Sequence, residues 1–191
     1  MNLLFIPKDK AEDLMNFEID EIESAELEDI QKELSELDKS FQLKSANLGT
    51  GADWILIMAI LNGLTTVFLL GDKINKGIEG WIAIGYRIKN IFKKSDRVYV
   101  DKDLANILGI EFLSQKFDLH SIKIVYEHSI PALDLSGAFN DRRTGDFLAH
   151  PYTVFITTFE INDRWTVTLG IKSNGEIDEL YSFDNYGHIP F

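Results

Sequence analysis

The sequence predicts an α+β protein: an acidic N-terminal helix and a hydrophobic helical hairpin packed on a C-terminal antiparallel β-sheet. Three observations carry that prediction. Apolar residues recur at helical spacing between positions 27 and 41. Residues 54–70 run without a charge into a basic, glycine-punctuated amphipathic stretch. Residues 152–183 alternate apolar and polar side chains in three runs joined by turn residues. With 191 residues, 45% of them hydrophobic, the chain can bury one substantial core. It divides into a helical region at 1–95 and a mainly β region at 96–191, which can form one continuous domain.

Asn2 to Ile6 reads as a short strand. The start, MNLLFIPKDK, is not expected to act as an export signal, because Pro7 and charges follow its short apolar run at once. Ser24 is a fitting N-cap for a helix whose first turn carries Glu26, Glu28 and Asp29. Leu27, Ile30, Leu34, Leu37 and Phe41 then fall on one face, a narrow seam expected to dock on the protein's own core. Lys44 to Gly51 looks like a linker.

The uncharged run Trp54 to Leu70 is expected to be a helix. Seventeen residues span roughly 25 Å, short of the roughly 30 Å hydrocarbon layer. Ile74, Ile78, Trp81, Gly85, Ile88 and Phe92 form a stripe on the next segment, with Lys73, Lys76, Arg87, Lys89 and Lys93 around it. Two readings stay open: a buried hairpin of 54–70 on 74–92, or a membrane anchor whose second helix lies among lipid headgroups. Glycines 77, 80 and 85 cost helix propensity and point to a close-packed neighbouring helix. Arg97 to Val100 is a strand, Asp101 caps a helix running to Leu108, and Ser121 to His128 is a strand. Tyr152–Ile161, Arg164–Ile171 and Glu176–Phe183 form a meander, joined by Asn162-Asp163 and by Ser173-Asn174-Gly175. Trp165, Val167, Leu169 and Ile171 give it one buried face.

Charge is distributed in blocks. Residues 9–39 hold thirteen acids against three lysines, a balance of −10, residues 40–97 reverse to +4, and residues 98–191 return to −7, which with Lys8 gives a total of −12. Such a chain repels phosphate backbones, so nucleic acid is excluded as a partner class. The absence of cysteine removes disulfides and thiolate metal sites and favours an intracellular, cytoplasmic location. The alternative is a single-span or peripheral membrane protein with residues 71–191 cytoplasmic.

The polar residues that converge in sequence lie in the long connection from His128 to His150: Asp134, Asp141, Arg142, Arg143 and Asp146, with the two histidines at its ends. Carboxylates and arginines there could hold an anionic ligand, and a histidine could move a proton. No spacing matches a metal site, and Ser136-Gly137 lacks the glycine that a nucleophile elbow needs. No catalytic residue, metal or cofactor is assigned. Glu26, Glu28 and Glu36, off the apolar seam, are the candidate contacts for a partner protein with a basic surface.

Two resemblances add to this reading. Gly49-x-Gly51-Ala-Asp-Trp54, the hydrophobic run, Gly71-Asp-Lys-Ile-Asn-Lys-Gly-Ile-Glu-Gly-Trp81 and Arg97-Val-Tyr-Val100 resemble small accessory components, of the effector-associated type, from bacterial conflict systems. That resemblance implies a non-catalytic adaptor accompanying an effector. Asn174-Gly175-Glu176-Ile177 with Phe183-Asp184 is similar to the end of NTF2-like domains, which implies a ligand pocket; hydrophobic 54–70 departs from that pattern. The expected function is a non-catalytic interaction protein, adaptor, accessory or immunity-like. The alternatives are a membrane-anchored component and a pocketed ligand-binding or enzymatic domain.

Overall fold

Two antiparallel sheets and the helices between them build the α+β architecture that the sequence predicts. The computed structural model describes residues 1–5, 25–47, 55–61, 73–74, 77–95, 97–132, 150 and 152–187. In chain order these are β1 (Asn2–Phe5), α1 (Ala25–Leu37), β2 (Gln42–Asn47), β3 (Ile55–Ile60), β4 (Lys73–Ile74), α2 (Ile78–Lys94) and β5 (Val98–Val100). There follow α3 (Lys102–Ser114), β6 (Ile122–Pro131), β7 (Thr153–Ile161), β8 (Trp165–Lys172) and β9 (Ile177–Asp184). The first sheet has the order β2-β3-β1-β5 and the second β4-β6-β7-β8-β9.

The expected helical hairpin is corrected at 55–60, the part of its first arm where the structure shows a strand. Ile55–Ile60 pairs with β1 on one side, Leu4 opposite Met58, and with β2 on the other, Ser45 opposite Ile57. An unbroken apolar run has no periodicity to separate a buried helix from a strand covered on both faces. Partners decide, and β1 and β2 supply the backbone hydrogen bonds on both edges. Residues 44–47, expected in a linker, are part of β2. The remainder of the run, 62–70, lies outside the described residues, as do Ser24 and the rest of the expected linker. No helix among the described residues is long and apolar enough to cross a membrane.

The second arm is a helix, but its helical neighbour is α3. Lys73–Ile74 belongs to β4, and α2 starts after Gly77, whose φ of 86° suits glycine. A Cβ on Gly85 would lie 2.6 Å from Glu111 Cβ and 3.1 Å from the Ile107 carbonyl oxygen, so this glycine is where the two helices touch. Asp101 caps α3 as expected, accepting from Leu104 N at 3.1 Å, and the helix runs on to Ser114. Every residue from Leu104 to Glu111 is buried. On its opposite side, Gly109 lies against Ile171 and Phe159 of the second sheet. Helix α1 docks its seam on the core as expected, with Ile30 and Leu34 buried.

The meander has the predicted turns. Asn162 and Asp163 take φ values of 53° and 56°, the left-handed pair that a two-residue hairpin requires. Asn162 also ties down the approach to β6, accepting from His120 N and Ser121 N and donating to the Asp118 carbonyl. The two sheets meet where Val100 N donates to Ser173 O at 2.8 Å and Ser173 N to Thr153 O at 2.8 Å. One apolar cluster runs from Leu3 through α3 to Ile171.

Candidate functional site

The long connection is anchored at a cleft. Strand β6 extends to Pro131, and Ala132 N donates to the Tyr152 carbonyl at 2.7 Å, so described residues on either side of 133–149 meet. Beneath them lies an open cleft of about 550 Å³, lined by Asp101, Lys102, Ser129, His150, Thr153 and Phe155. Several of its polar groups are engaged with neighbouring residues. Asp101 Oδ2 accepts from Asn2 N at 2.5 Å and Asn2 Nδ2 at 3.0 Å, while Oδ1 caps α3. Burial raises the Asp101 pKa, opposed by the hydrogen bond from Leu104 and by the charge of the N-terminal amine. Beside it a buried relay runs from Thr157 Oγ1 to Asn106 Oδ1 at 3.0 Å and from Asn106 Nδ2 to Glu127 Oε1 at 2.6 Å. Lys102 Nζ closes it on Glu127 Oε2 at 3.1 Å. This arrangement fixes α3 against the sheet, and its donors and acceptors are matched.

Of the predicted site residues in and around the connection, the two histidines are described, and they stand apart. His150 lines the cleft, but His128 stands in β6 opposite Ile156, and strand alternation turns it to the other face of the sheet from Glu127 and Ser129. Asp134, Asp141, Arg142, Arg143 and Asp146 lie outside the described residues. So do the side chains of Glu26 and Glu28. Glu36 is engaged within the chain, its Oε2 2.9 Å from Arg87 Nη1 of α2. Lys94 Nζ meets Glu33 Oε1 at 2.9 Å, and that hydrogen bond raises the lysine pKa. The acidic and basic blocks of the sequence thus meet, in part, in cis. Lys89 faces Glu111 Oε2 in the same helical layer, and Gln115 Nε2 donates to Glu111 Oε1.

The second sheet presents a different surface. Its inner face, with Phe159, Val167, Leu169 and Ile171, packs on the core. Its outer face carries Tyr126, Ile130, Leu180, Tyr181 and Phe183, each between 41% and 60% exposed. The register aligns Tyr126 with Thr158, Thr158 with Thr168, and Thr168 with Tyr181, one row across four strands. The two threonine hydroxyls lie 2.9 Å apart at its centre. Tyr181 and Phe183, two residues apart, bring their ring centroids to 5.4 Å. A bulge at Val125 and another at Leu180 flank this row on β6 and β9, and Leu180 lies over Gly170.

Ion pairs frame the face: Lys123 with Glu160 at 3.8 Å, Arg164 with Asp184 at 2.7 Å, and Lys172 with Glu176. The hydrogen bond from Arg164 holds the Asp184 carboxyl below its usual range, and that from Lys172 does the same for Glu176.

Compared with protein-family models, with curated proteins and with solved structures, the chain shows no significant match. Sequence reasoning found the strands of the C-terminal meander but overlooked this face. Alternation alone groups Tyr126 with the inward Ile124, and Tyr181 and Phe183 with the inward Ile177; the bulges at Val125 and Leu180 turn them outward. The Thr157–Asn106–Glu127 relay left only one trace, an asparagine inside the apolar helical run Leu104 to Ile110.

Proposed function

We propose that this chain is a non-catalytic interaction protein, an adaptor or accessory component that binds another protein through the outer face of the β6–β9 sheet. One observation carries the reading: Tyr126, Ile130, Leu180, Tyr181 and Phe183 crowd onto a single exposed face rimmed by charge. Apolar patches with a polar rim mark interaction sites, and tyrosine and phenylalanine are typical anchors of such interfaces. The matched polar groups beside the cleft support the non-catalytic half of the reading. The adaptor role agrees with what the resemblance of 49–54 and 71–81 to accessory components implies. A cytoplasmic setting belongs to the same proposal.

A photo-activated cross-linker at position 181, in the intact chain in its native cell, tests it. A protein adduct is expected at 181 and none from a control at Ala83, exposed on α2. Equal yield at the two positions, or no adduct at either, overturns the reading.

A further inference from the structure

We infer that the occupant of this face is a second copy of the chain, docked sheet to sheet about a two-fold axis parallel to the strands and lying between β7 and β8. The inference rests on the interaction reading above and names its partner.

Charge is the first support. A chain of net charge −12 repels its own copies across most approaches. The outer face is the exception. Among its described side chains, Lys123 and Lys172 are each matched by a carboxylate and Asp178 adds one negative charge; Lys73 stands opposite Lys123 in the register, and the Arg164–Asp184 pair closes the end of the sheet. Two copies meeting here therefore bring together apolar surface at little electrostatic cost. Pairing through the sheet edges is disfavoured by contrast. Strand β9 carries the Leu180 bulge and Asp178, Glu179 and Asp184, and β4 at the other edge has two residues.

Symmetry is the second support. An axis parallel to the strands lays β6 of one copy over β9 of the other and β7 over β8, so each contact occurs twice. Rows stay in line. Tyr126 meets Tyr181 of the second copy, Thr158 meets Thr168, and His128 meets Asp178. Sheets packed this way sit about 10 Å apart and about 30° from aligned.

Area sets the strength. Four strands spaced about 4.8 Å apart, each contributing about eight residues at about 3.4 Å, give a face of roughly 500 Å². Both copies together bury about 1,000 Å², the lower bound for a specific interface, so the dimer is expected to be reversible.

Sedimentation velocity of the full chain from about 1 to 100 µM tests the inference. A concentration-dependent dimer is expected. Tyr126→Lys and Tyr181→Asp should each raise its dissociation constant by about tenfold or more. The double variant should recover most of the loss, because the axis sets the two positions against each other between copies. Within one copy they lie three strands, about 14 Å, apart and cannot compensate. Far-ultraviolet circular dichroism establishes that each variant is folded, and the parent chain needs no variant to answer the first question. A dimer unmoved by either single substitution, or a double variant weaker than both, overturns the inference. So does a chain that stays monomeric at every concentration, whether its face is open or covered by another part of itself. A monomer whose position 181 still cross-links to a different protein leaves the interaction reading standing and defeats only the second copy. A monomer with no adduct defeats both.

Discussion

The two sheets use their second faces differently. In the first, Leu3, Leu4 and Phe5 of β1 are consecutive and all buried, so both faces of that strand are covered. In the second, β7 alternates buried and half-buried residues along its whole length, and only one face is closed. An antiparallel sheet with one wet face normally clothes it in polar side chains. Here the wet face carries tyrosines, a phenylalanine, a leucine and an isoleucine instead. The burial of β1 is accounted for by folding alone. The second sheet leaves apolar surface exposed, and that surplus is where we propose the interaction.

The sharpest way to break the comparison is to place a charge in each sheet. Leu4→Lys should prevent folding, since an ammonium buried without a partner costs several kcal/mol or forces deprotonation. Tyr181→Lys should leave the urea midpoint nearly unchanged, within about 0.5 kcal/mol. A folded Leu4→Lys chain, seen by near-ultraviolet circular dichroism, would make the first sheet as open as the second.

Within the second sheet, the two faces should separate by truncation. Phe159→Ala on the inner face should cost about 3–5 kcal/mol in chemical denaturation. Ile156→Ala, half-buried on the outer face, should cost clearly less. Equal losses would mean that the outer face is covered in solution, as a dimer at the working concentration would produce; dilution should then restore the difference.

The contact between α3 and this sheet can be overfilled. A Cβ at Gly109 would fall 2.9 Å from Ile171 Cδ1 and 3.0 Å from Phe159 Cζ. Gly109→Ala should therefore destabilise by about 1–3 kcal/mol from overpacking, offset by up to about 1 kcal/mol of helix propensity. A stabilised Gly109→Ala in thermal denaturation would show that helix and sheet have room to part.

The smallest effect is electrostatic and sits where the sheets join. Burial raises the pKa of Asp101 above its ordinary 3.8. Between those values the folded chain keeps a proton that the unfolded chain has lost, so stability falls as pH rises through the window. Asp101→Asn keeps an N-cap and should remove that fall while leaving the rest of the profile. Asp184 and Glu176, whose values are lowered, act oppositely: their contribution is present above their unfolded values and lost as pH falls through the folded ones. Glu176 is exposed and Asp184 pairs with an exposed arginine, so both contribute weakly. Unfolding free energies from pH 3 to 7 for parent and variant that differ by a constant would remove Asp101 from the account.

Local signals were read correctly wherever the local chain is sufficient cause. The Asn162-Asp163 turn needs two residues tolerant of positive φ, and an N-cap at Asp101 needs only a carboxylate three residues before an amide. The Ile30–Leu34 seam and the Val167–Leu169–Ile171 face follow from periodicity, because one side of each element is wet. The Ile55–Ile60 strand was beyond reach for the converse reason: a uniformly apolar run encodes burial but not geometry, and β1 and β2 arrive from distant sequence to choose the strand. The same holds for the sites. His128 and His150 close a single connection in sequence, yet the pleat assigns them to opposite faces. Tyr126 and Tyr181 are fifty-five positions apart and share a row only because three hairpin registers align them. Sequence by itself determined the elements with a wet side, the turns and the sign of each charge block. Tertiary structure alone decided what a uniformly apolar segment becomes and which distant side chains share a face, because both depend on pairing energies between segments that no local window contains.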